Sequence, residues 1–277
     1  MMTREGYLEV PGARLFYRIS GSGPILLTLQ GGGGEAEGSN GLAEVLGDRY
    51  SVVSYDRRGL SRSSIDDATA PIEIATHTDD ASRLLAALGE KPAYVFGCSL
   101  GALIGLDLVA THADKVRLLV AHEPPVPDLL AEPERTEWKE RQREVDATFE
   151  REGLRPAMQK FLALAGGVGN DPEPEVNARP SHEQMAQRSA NLQFHLAHDA
   201  PAAHRHQLDI DRLRCVSERI VPAAGQLSRD LLPYRGAQSL AQLLGRGLHE
   251  FPGNHVGYVA RPRAFGEELH RVLLAGG

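Results

Sequence analysis

The chain has few cysteines, few aromatic residues and no excess of positive charge. Two cysteines among 277 residues cannot form a disulfide framework. The net charge of −7 argues against a nucleic-acid partner, because phosphate recognition needs a basic surface. No apolar run approaches the roughly twenty residues of a membrane span, and residues 1–10 lack an apolar segment of signal-peptide type. These absences predict a cytoplasmic protein without membrane or nucleic-acid partners.

The composition is ordinary for a globular protein, with 42% hydrophobic and 24% charged residues. Short apolar runs, which predict buried strands, alternate with helical patterns in the first half of the chain and return near its end. The predicted strands are residues 6–10, 15–19, 25–29, 51–55, 93–96, 117–121, 220–224 and 248–251, and the predicted helices between and after them include 42–46, 72–88, 102–110 and 263–274. This order predicts an α/β fold with a mostly parallel sheet and helices on both faces.

The alternation stops between residues 127 and 201, where the pattern predicts helices and no strand. Candidate helices cover residues 134–151, 154–164 and 181–198, with Ser181 as N-cap of the last, and residues 170–180 are typical of a loop. We therefore expect one discontinuous core domain, residues 1–126 and 201–277. A helical cap or lid of residues 127–200 would be inserted into it.

The most informative segment is G-C-S-L-G at residues 97–101, between a predicted strand and a predicted helix. Strand, G-x-S-x-G and helix together form a nucleophile elbow. The turn is so tight that only small residues fit two positions before and two positions after the serine. The hydroxyl of Ser99 would then be exposed at the end of the sheet, and Cys98 would be a small buried side chain behind it.

A serine hydroxyl needs a neighbouring base to act as a nucleophile. Of the 11 histidines, His255 is the best candidate because it directly follows the last predicted strand, in the turn P-G-N-H. A turn there would bring its imidazole to the same edge of the sheet as Ser99. His249 lies within that strand and would point along the sheet face.

The base in turn needs a carboxylate to fix its tautomer and to stabilise the imidazolium. Two residues are candidates for this carboxylate. Glu123 leaves the strand at 117–121 and is followed by two prolines, which hold it in an extended turn. Asp230 follows the strand at 220–224, but the position three after Gly225 holds Ser228 instead of an acid. Glu123 is the preferred candidate and Asp230 the alternative.

Backbone N–H groups must also bind the oxyanion that forms on the attacked carbonyl. Leu100, at the start of the helix after the serine, would supply one. The second would come from Gly31 or Gly32 in the loop Q-G-G-G-G at residues 30–34, where glycines allow close backbone approach. Neither a P-loop nor a dinucleotide-binding fingerprint fits this loop.

The histidines of the predicted lid suggest an alternative, a metal site. His195 and His198 are three residues apart and could face one ion on a helix, but no H-E-x-x-H motif accompanies them. A solvated lid helix is the preferred interpretation. We expect no metal and no cofactor. Trp138, the only tryptophan, could project over a pocket or anchor its helix to the core.

These motifs together resemble the α/β-hydrolase-fold family over essentially the whole chain. The turn Y-D-R-R-G-L-S at residues 55–61 matches the family's D-x-R-G-x-S segment, which is mainly structural, and residues 97–101 and 252–255 match the elbow and the histidine loop. The chain is also similar to zearalenone-type lactone hydrolases and related actinobacterial α/β hydrolases. That resemblance places the acid on Glu123 and implies Gly31 and Leu100 as oxyanion positions. Gln30 replaces the family's usual histidine, and the lid matches only weakly.

We therefore expect a serine hydrolase that cleaves a small-molecule carboxylic ester or lactone through an acyl-enzyme. Two alternatives stay open: a non-hydrolytic enzyme on the same fold, such as a C–C lyase, a cyclase or a cofactor-free haloperoxidase, and a ligand receptor. A homodimer is possible.

Overall fold

The computed structural model describes residues 2–166, 171–176 and 181–276. Within them lie nine strands: β1 Thr3–Val10, β2 Ala13–Gly21, β3 Ile25–Leu29, β4 Ser51–Tyr55, β5 Ser64–Ile65, β6 Ala93–Cys98, β7 Val116–His122, β8 Ile220–Gly225 and β9 His249–Phe251. All strands predicted from the apolar runs are present, within a few residues of their predicted ends. The two-residue strand β5 was not predicted, since it is too short to leave an alternating pattern.

The strands form one sheet in the order β1-β2-β4-β3-β6-β7-β8-β9, with β5 paired to β2. The pairs β1–β2 and β2–β4 are antiparallel, and every pair from β4 through β3 to β9 is parallel. The predicted mostly parallel sheet is therefore confirmed. Because β6, β7 and β8 are neighbours, the loops that follow these strands meet at the carboxyl edge of the sheet.

Helices cover both faces of the sheet. They are α1 Asn40–Leu46, α2 Ile74–Leu88, α3 Leu100–Thr111, α8 Ile210–Cys215, α9 Leu232–Leu244, α10 Gly257–Ala260 and α11 Pro262–Ala275. One apolar core joins one side of the sheet to α2, α3 and α9, and a second joins the other side to α1 and α11. The helix α3 is buried along most of its length, which accounts for its apolar sequence. No helix in the described ranges is both long and apolar enough to cross a membrane.

The segment predicted as a lid contains helices and, in its described residues, no strand. They are α4 Glu134–Glu152, α5 Leu154–Ala165, α6 His182–Phe194, a π turn at His195–Asp199 and α7 Ala200–Arg205. A capping box begins α6: the Ser181 side chain accepts from the Gln184 N–H, and the Gln184 side chain accepts from the Ser181 N–H. Of the predicted loop at 170–180, residues 171–176 are described and lie outside helices and strands; 170 and 177–180 lie outside the described residues.

The helix α7 crosses the predicted boundary between residues 200 and 201, and the division into core and lid remains a prediction. We keep the name lid for residues 127–200.

Candidate active site

Ser99 occupies a sharp turn between β6 and α3. Its φ of 55° and ψ of −122° lie outside the regions that L-residues ordinarily adopt. Such a conformation persists only where the surroundings enforce it. The Ser99 N–H donates to the His122 carbonyl at 2.9 Å, and its carbonyl accepts from Ala102 and Leu103 in the first turn of α3. The hydroxyl-bearing residue is thus held at the carboxyl end of a central strand.

The two glycines around Ser99 are required by close packing. A β-carbon on Gly97 would lie 2.5 Å from the Gly101 carbonyl oxygen, and one on Gly101 would lie 2.0 Å from the Leu29 carbonyl oxygen. Both distances are far below van der Waals contact. Any larger residue at either position would push α3 away from the sheet and open the turn, so the spacing G-x-S-x-G has a steric cause.

Glu123 and His255 form a buried pair at the same edge of the sheet. The His255 Nδ1 lies 2.6 Å from Glu123 Oε2, and the second carboxylate oxygen accepts from the Gly225 N–H at 2.8 Å. Glu123 has a φ of 49°, which makes it one of three non-glycine residues with positive φ in the described chain, together with Ser61 and Ser99. The strained backbone turns this carboxylate out of β7 toward the histidine loop.

The charge of Glu123 is maintained despite its burial. Burial alone would raise the pKa of the carboxyl, but the hydrogen bond with His255 and the nearby His255 and His122 imidazoles outweigh it and hold the pKa below its usual value. The N–H of Gly225 acts in the same direction. Glu123 is therefore a carboxylate able to orient His255 and to stabilise a positive charge on it.

His255 is brought close to the serine turn through its own backbone. Its carbonyl oxygen lies 3.1 Å from the Cys98 Sγ, one residue before Ser99. Cys98 is buried, as the sequence predicts, and burial raises the pKa of its thiol well above the usual value. The cysteine thus remains a neutral thiol that packs behind the serine and does not compete as a nucleophile.

Asp230, the alternative acid, lies in an exposed turn after β8. The position where an acid would follow this strand is filled by Ser228, which is fully buried. The structure therefore brings together Ser99, Glu123 and His255 at the carboxyl edge, and it leaves Asp230 in solvent. Glu123 is also the carboxylate that contacts the histidine.

The glycine loop after β3 is held by Arg57, whose role the sequence motif did not reveal. Its guanidinium donates to the carbonyls of Gln30 at 2.9 Å, of Gly31 at 2.7 Å and of Gly32 at 3.2 Å. In a trans peptide the N–H points opposite to the carbonyl. The N–H groups of these peptides therefore face away from Arg57.

Gln30 stands where the resemblance described above would place a histidine, and its side chain forms hydrogen bonds at both ends of its amide group. Its Oε1 accepts from the Tyr258 hydroxyl at 2.9 Å, and its amide nitrogen donates to Ser39. Burial raises the pKa of Tyr258, although a hydrogen bond with the Gly31 backbone opposes this shift. Of the two candidate glycines, Gly31 lies next to the serine, since a β-carbon on it would be 3.4 Å from the Ser99 Cβ.

A buried carboxylate on the lid anchors Arg57 from the opposite side. Asp199 Oδ2 accepts from Arg57 at 2.8 Å, its Oδ1 lies 3.1 Å from His77 Nε2, and its Oδ2 lies 3.5 Å from His195 Nδ1. Burial opposes ionisation of Asp199, but the charges of Arg57 and His77 hold its pKa well below the usual value. Sequence reasoning missed this cluster because its members come from three distant segments.

A cavity of about 550 Å³ opens beside Ser99 and beneath the lid. Its wall includes Ser99, Leu100, Leu103, Trp138, Phe161 and His195, whereas His255 and Glu123 are not among its lining residues. Trp138 fills both roles considered from the sequence: it lines the cavity, and it packs with Leu130, Leu164 and Leu232. A cavity of this size, with apolar and polar side chains in its wall, suits a small organic molecule.

The lid histidines face different partners. His195 points toward Asp199 and Gly32, whereas His198 packs on the Phe194 ring at 4.4 Å between centroids. Within the described residues, no group of three or more His, Cys, Asp or Glu side chains could hold a metal ion.

Comparisons with known proteins agree with this architecture. A family model described as alpha/beta hydrolase fold matches residues 24–198. The uncharacterized hydrolase YraK of Bacillus subtilis (strain 168) is 37% identical over 278 residues, which covers 99% of this chain and 97% of that protein. A zearalenone hydrolase of Bionectria ochroleuca is 31% identical over 134 residues, or 45% of this chain and 48% of that protein.

Among solved structures, that of a membrane phospholipase A, a bacterial virulence factor, is similar with a TM-score of 0.77 and 20% identity. The similarity covers 99% of this chain and 86% of that one. Both the family resemblance and the fold class predicted from the sequence are confirmed. The chain belongs to the α/β-hydrolase family.

Proposed function

We propose that this protein is a serine hydrolase that cleaves a carboxylic ester or lactone through an acyl-enzyme. The observation that carries the proposal is the juxtaposition, at one edge of the sheet, of a strained Ser99 with an imidazole whose Nδ1 lies 2.6 Å from the buried Glu123. With Nδ1 taken by the carboxylate, Nε2 is the nitrogen of His255 that can receive the serine proton.

In the proposed reaction, Ser99 Oγ attacks the substrate carbonyl while His255 takes its proton. Glu123 stabilises the imidazolium that results. The tetrahedral intermediate collapses as His255 returns the proton to the leaving alkoxide, which leaves an ester between Ser99 and the acyl group. Water, deprotonated by the same imidazole, then attacks this ester, and Ser99 recovers its proton when the carboxylic acid leaves.

The oxyanion would be bound by two backbone N–H groups. Leu100 is the first residue of α3, so its N–H has no acceptor within the helix, and the helix dipole favours negative charge there. The second N–H would come from Gly31, which lies next to Ser99, or from Gly32. Arg57 would act as a positioning residue, since it fixes the direction of these peptides through their carbonyls.

The cavity supports a small-molecule ester. Apolar side chains make up just over half of its lining, beside charged ones such as Lys139 and Arg143, and its volume of about 550 Å³ is within the range of small-molecule sites. The sequence resembles zearalenone-type lactone hydrolases, and part of it is similar to a zearalenone hydrolase. Lactones therefore stay beside open-chain esters in the proposal.

The proposal is tested with a panel of p-nitrophenyl esters, small lactones and macrolactones incubated in H₂¹⁸O. We expect turnover of at least one class, with one ¹⁸O atom in the carboxylic acid product. A product formed by C–C cleavage, cyclisation or halogenation would instead assign a non-hydrolytic activity. Tight binding of these compounds with negligible turnover would assign a receptor.

A further inference from the structure

The lid contributes an imidazole that the proposed mechanism does not use. His195 lines the same cavity as Ser99, although the residue is only 5% exposed. A β-carbon placed on Gly32 would lie 2.7 Å from its Cδ2 and 2.8 Å from its Nε2. The ring therefore lies directly against the loop proposed to bind the oxyanion, and the cavity has a nearly buried polar group on that side.

The backbone that carries His195 is irregular for an identifiable reason. Residues His195–Asp199 form a π turn in which the Ala200 N–H donates to the His195 carbonyl, five residues earlier. Pro201 has no N–H to donate, and in a regular α-helix its ring would clash with the carbonyl four residues before it. The wider turn accommodates the proline. Such turns inside helices are frequent at functional sites.

The carboxylate of Asp199 lies on the Nδ1 side of the His195 ring. Its Oδ2 is 3.5 Å from Nδ1, which is buried and forms no hydrogen bond at that distance, and the Phe161 ring packs edge-on against the imidazole at 6.0 Å between centroids. A carboxylate beside Nδ1 favours the proton on that nitrogen. In the neutral ring, Nε2 then presents a lone pair on the side of Gly32 and the cavity.

We propose that His195 is a specificity-determining residue whose Nε2 accepts a hydrogen bond from a hydroxyl or N–H that the substrate carries next to the scissile carbonyl. The proposal rests on the proposed function and narrows its substrate class. Its physical basis is the cost of leaving a buried acceptor unpaired. A site built around such an acceptor rejects an analogue that lacks the donor far more strongly than an apolar wall can discriminate by shape.

The experiment compares esters that differ only in that donor. Ethyl mandelate, as each enantiomer, is paired with ethyl phenylacetate, and ethyl salicylate is paired with ethyl benzoate. Acid release is followed in a pH-stat for the full-length wild-type protein, His195→Phe, His195→Gln and the control His198→Phe, which changes a neighbouring lid histidine outside the cavity wall. For each ester, kcat/KM of the variant is divided by kcat/KM of the wild type. This ratio removes the difference in intrinsic reactivity between the two esters of a pair.

We expect His195→Phe to lower kcat/KM for the hydroxyl-bearing ester of at least one pair by about 10- to 100-fold, corresponding to one unpaired buried group. The matched ester without the hydroxyl should change by less than about threefold, and His195→Gln should recover part of the loss because its amide oxygen can accept. His198→Phe should leave the ratio within each pair unchanged.

Equal losses for both members of every pair, or no loss at all, would overturn the role of His195 while leaving the hydrolase assignment intact. Absence of turnover for every ester in the panel and in these pairs would overturn the proposed function and this inference with it. If His195→Phe does not fold, as judged by its circular dichroism, His195→Leu replaces it with a smaller side chain. A selective loss for the hydroxyl-bearing ester then supports the role of His195, and equal losses or no loss overturn it.

Discussion

Within the described residues, two buried carboxylates lie beside histidines: Glu123 beside His255 at the carboxyl edge of the sheet, and Asp199 on the lid beside both His77 and His195. At the edge, Glu123 contacts His255 at 2.6 Å, and its other carboxylate oxygen accepts from the Gly225 N–H at 2.8 Å. On the lid, Asp199 lies 3.5 Å from His195 but also accepts from the Arg57 guanidinium at 2.8 Å.

That difference separates the pair that we propose to be catalytic from one whose carboxylate mainly holds Arg57. The negative charge of Asp199 is already balanced by Arg57, so little of it remains to stabilise a second cation on His195. Glu123 has no arginine or lysine among the partners described for it, and its charge is available to the imidazolium of His255. A carboxylate beside a histidine thus indicates general-base chemistry only when no permanent cation neutralises the carboxylate.

The largest expected effect is on the nucleophile. Ser99→Ala should lower kcat by about 10⁶-fold, as expected when the nucleophile of a serine triad is removed. The matched control is Ser228→Ala, which removes another buried serine hydroxyl after a neighbouring strand. The control should stay within about threefold of wild type in ester hydrolysis. Similar activity in both variants would exclude Ser99 as the nucleophile.

The next effect separates the two candidate acids. Glu123→Gln should lower kcat by about 10⁴-fold, because an amide cannot fix the required tautomer or stabilise the imidazolium. Asp230→Asn should have no measurable effect, since the carboxylate it removes is exposed. Steady-state kinetics on a single ester decide the assignment. A large loss in Asp230→Asn alone would move the acid to the loop after β8.

The lid pair is expected to affect stability more than chemistry. Asp199→Asn leaves the buried Arg57 charge unbalanced, and it should destabilise the protein by about 3–5 kcal/mol in urea denaturation. The loss in kcat should be much smaller than that of Glu123→Gln. Asp79→Asn, at an exposed pair with Arg83, should leave the urea midpoint unchanged. A kcat loss in Asp199→Asn as large as that of Glu123→Gln would contradict the distinction between the two pairs.

The smallest effect is a pH dependence of stability caused by His122, which is buried between Cys98 and aromatic rings. Burial lowers the pKa of His122 to about 4. The unfolded chain binds this proton near pH 6.5, so stability is greatest above that pH and falls as the pH decreases toward about 4, by up to about 3 kcal/mol.

His122→Leu removes this titration and should flatten the stability profile between about pH 6.5 and pH 4, relative to wild type. Urea midpoints measured across that range provide the test. Glu123 and Asp199, whose pKa values are lowered, begin to lose their contribution as the pH falls through the unfolded carboxyl values of about 4 to 4.5, so they affect only the acid end of this range and do so in both proteins. Parallel profiles for wild type and His122→Leu would show that His122 is not the source.

The sequence predicts the sheet well because buried strands and the elbow are local signals. The spacing around Ser99, the turn before His255 and the prolines after Glu123 each fit within about five residues. The contact between Glu123 and His255 spans 132 residues, and the sequence could only rank Glu123 above Asp230. The prolines after Glu123, and Ser228 at the place where the other acid was expected, supplied that ranking, and the resemblance to a known family agreed with it.

The lid was predicted as plain helices, and its most informative features were missed. The sequence around His195 has the pattern of an uninterrupted helix. A π turn adds only one residue to a helical turn, and this change is too small to alter the spacing of the apolar residues. Pro201 was the available signal, since a proline there disrupts the hydrogen bonding of the preceding turn. No local pattern could have joined Arg57 to Asp199, because that contact depends on how the lid packs over the glycine loop.

The most direct test of the central claim is fluorophosphonate labelling followed by peptide mass spectrometry, with residual esterase activity measured on the same samples. We expect one phosphonyl group per chain on the peptide that contains Ser99, with activity lost in proportion to labelling and slower labelling in Glu123→Gln. A stoichiometric adduct on another residue, or full activity after Ser99 is labelled, would contradict the assignment of Ser99 as the nucleophile.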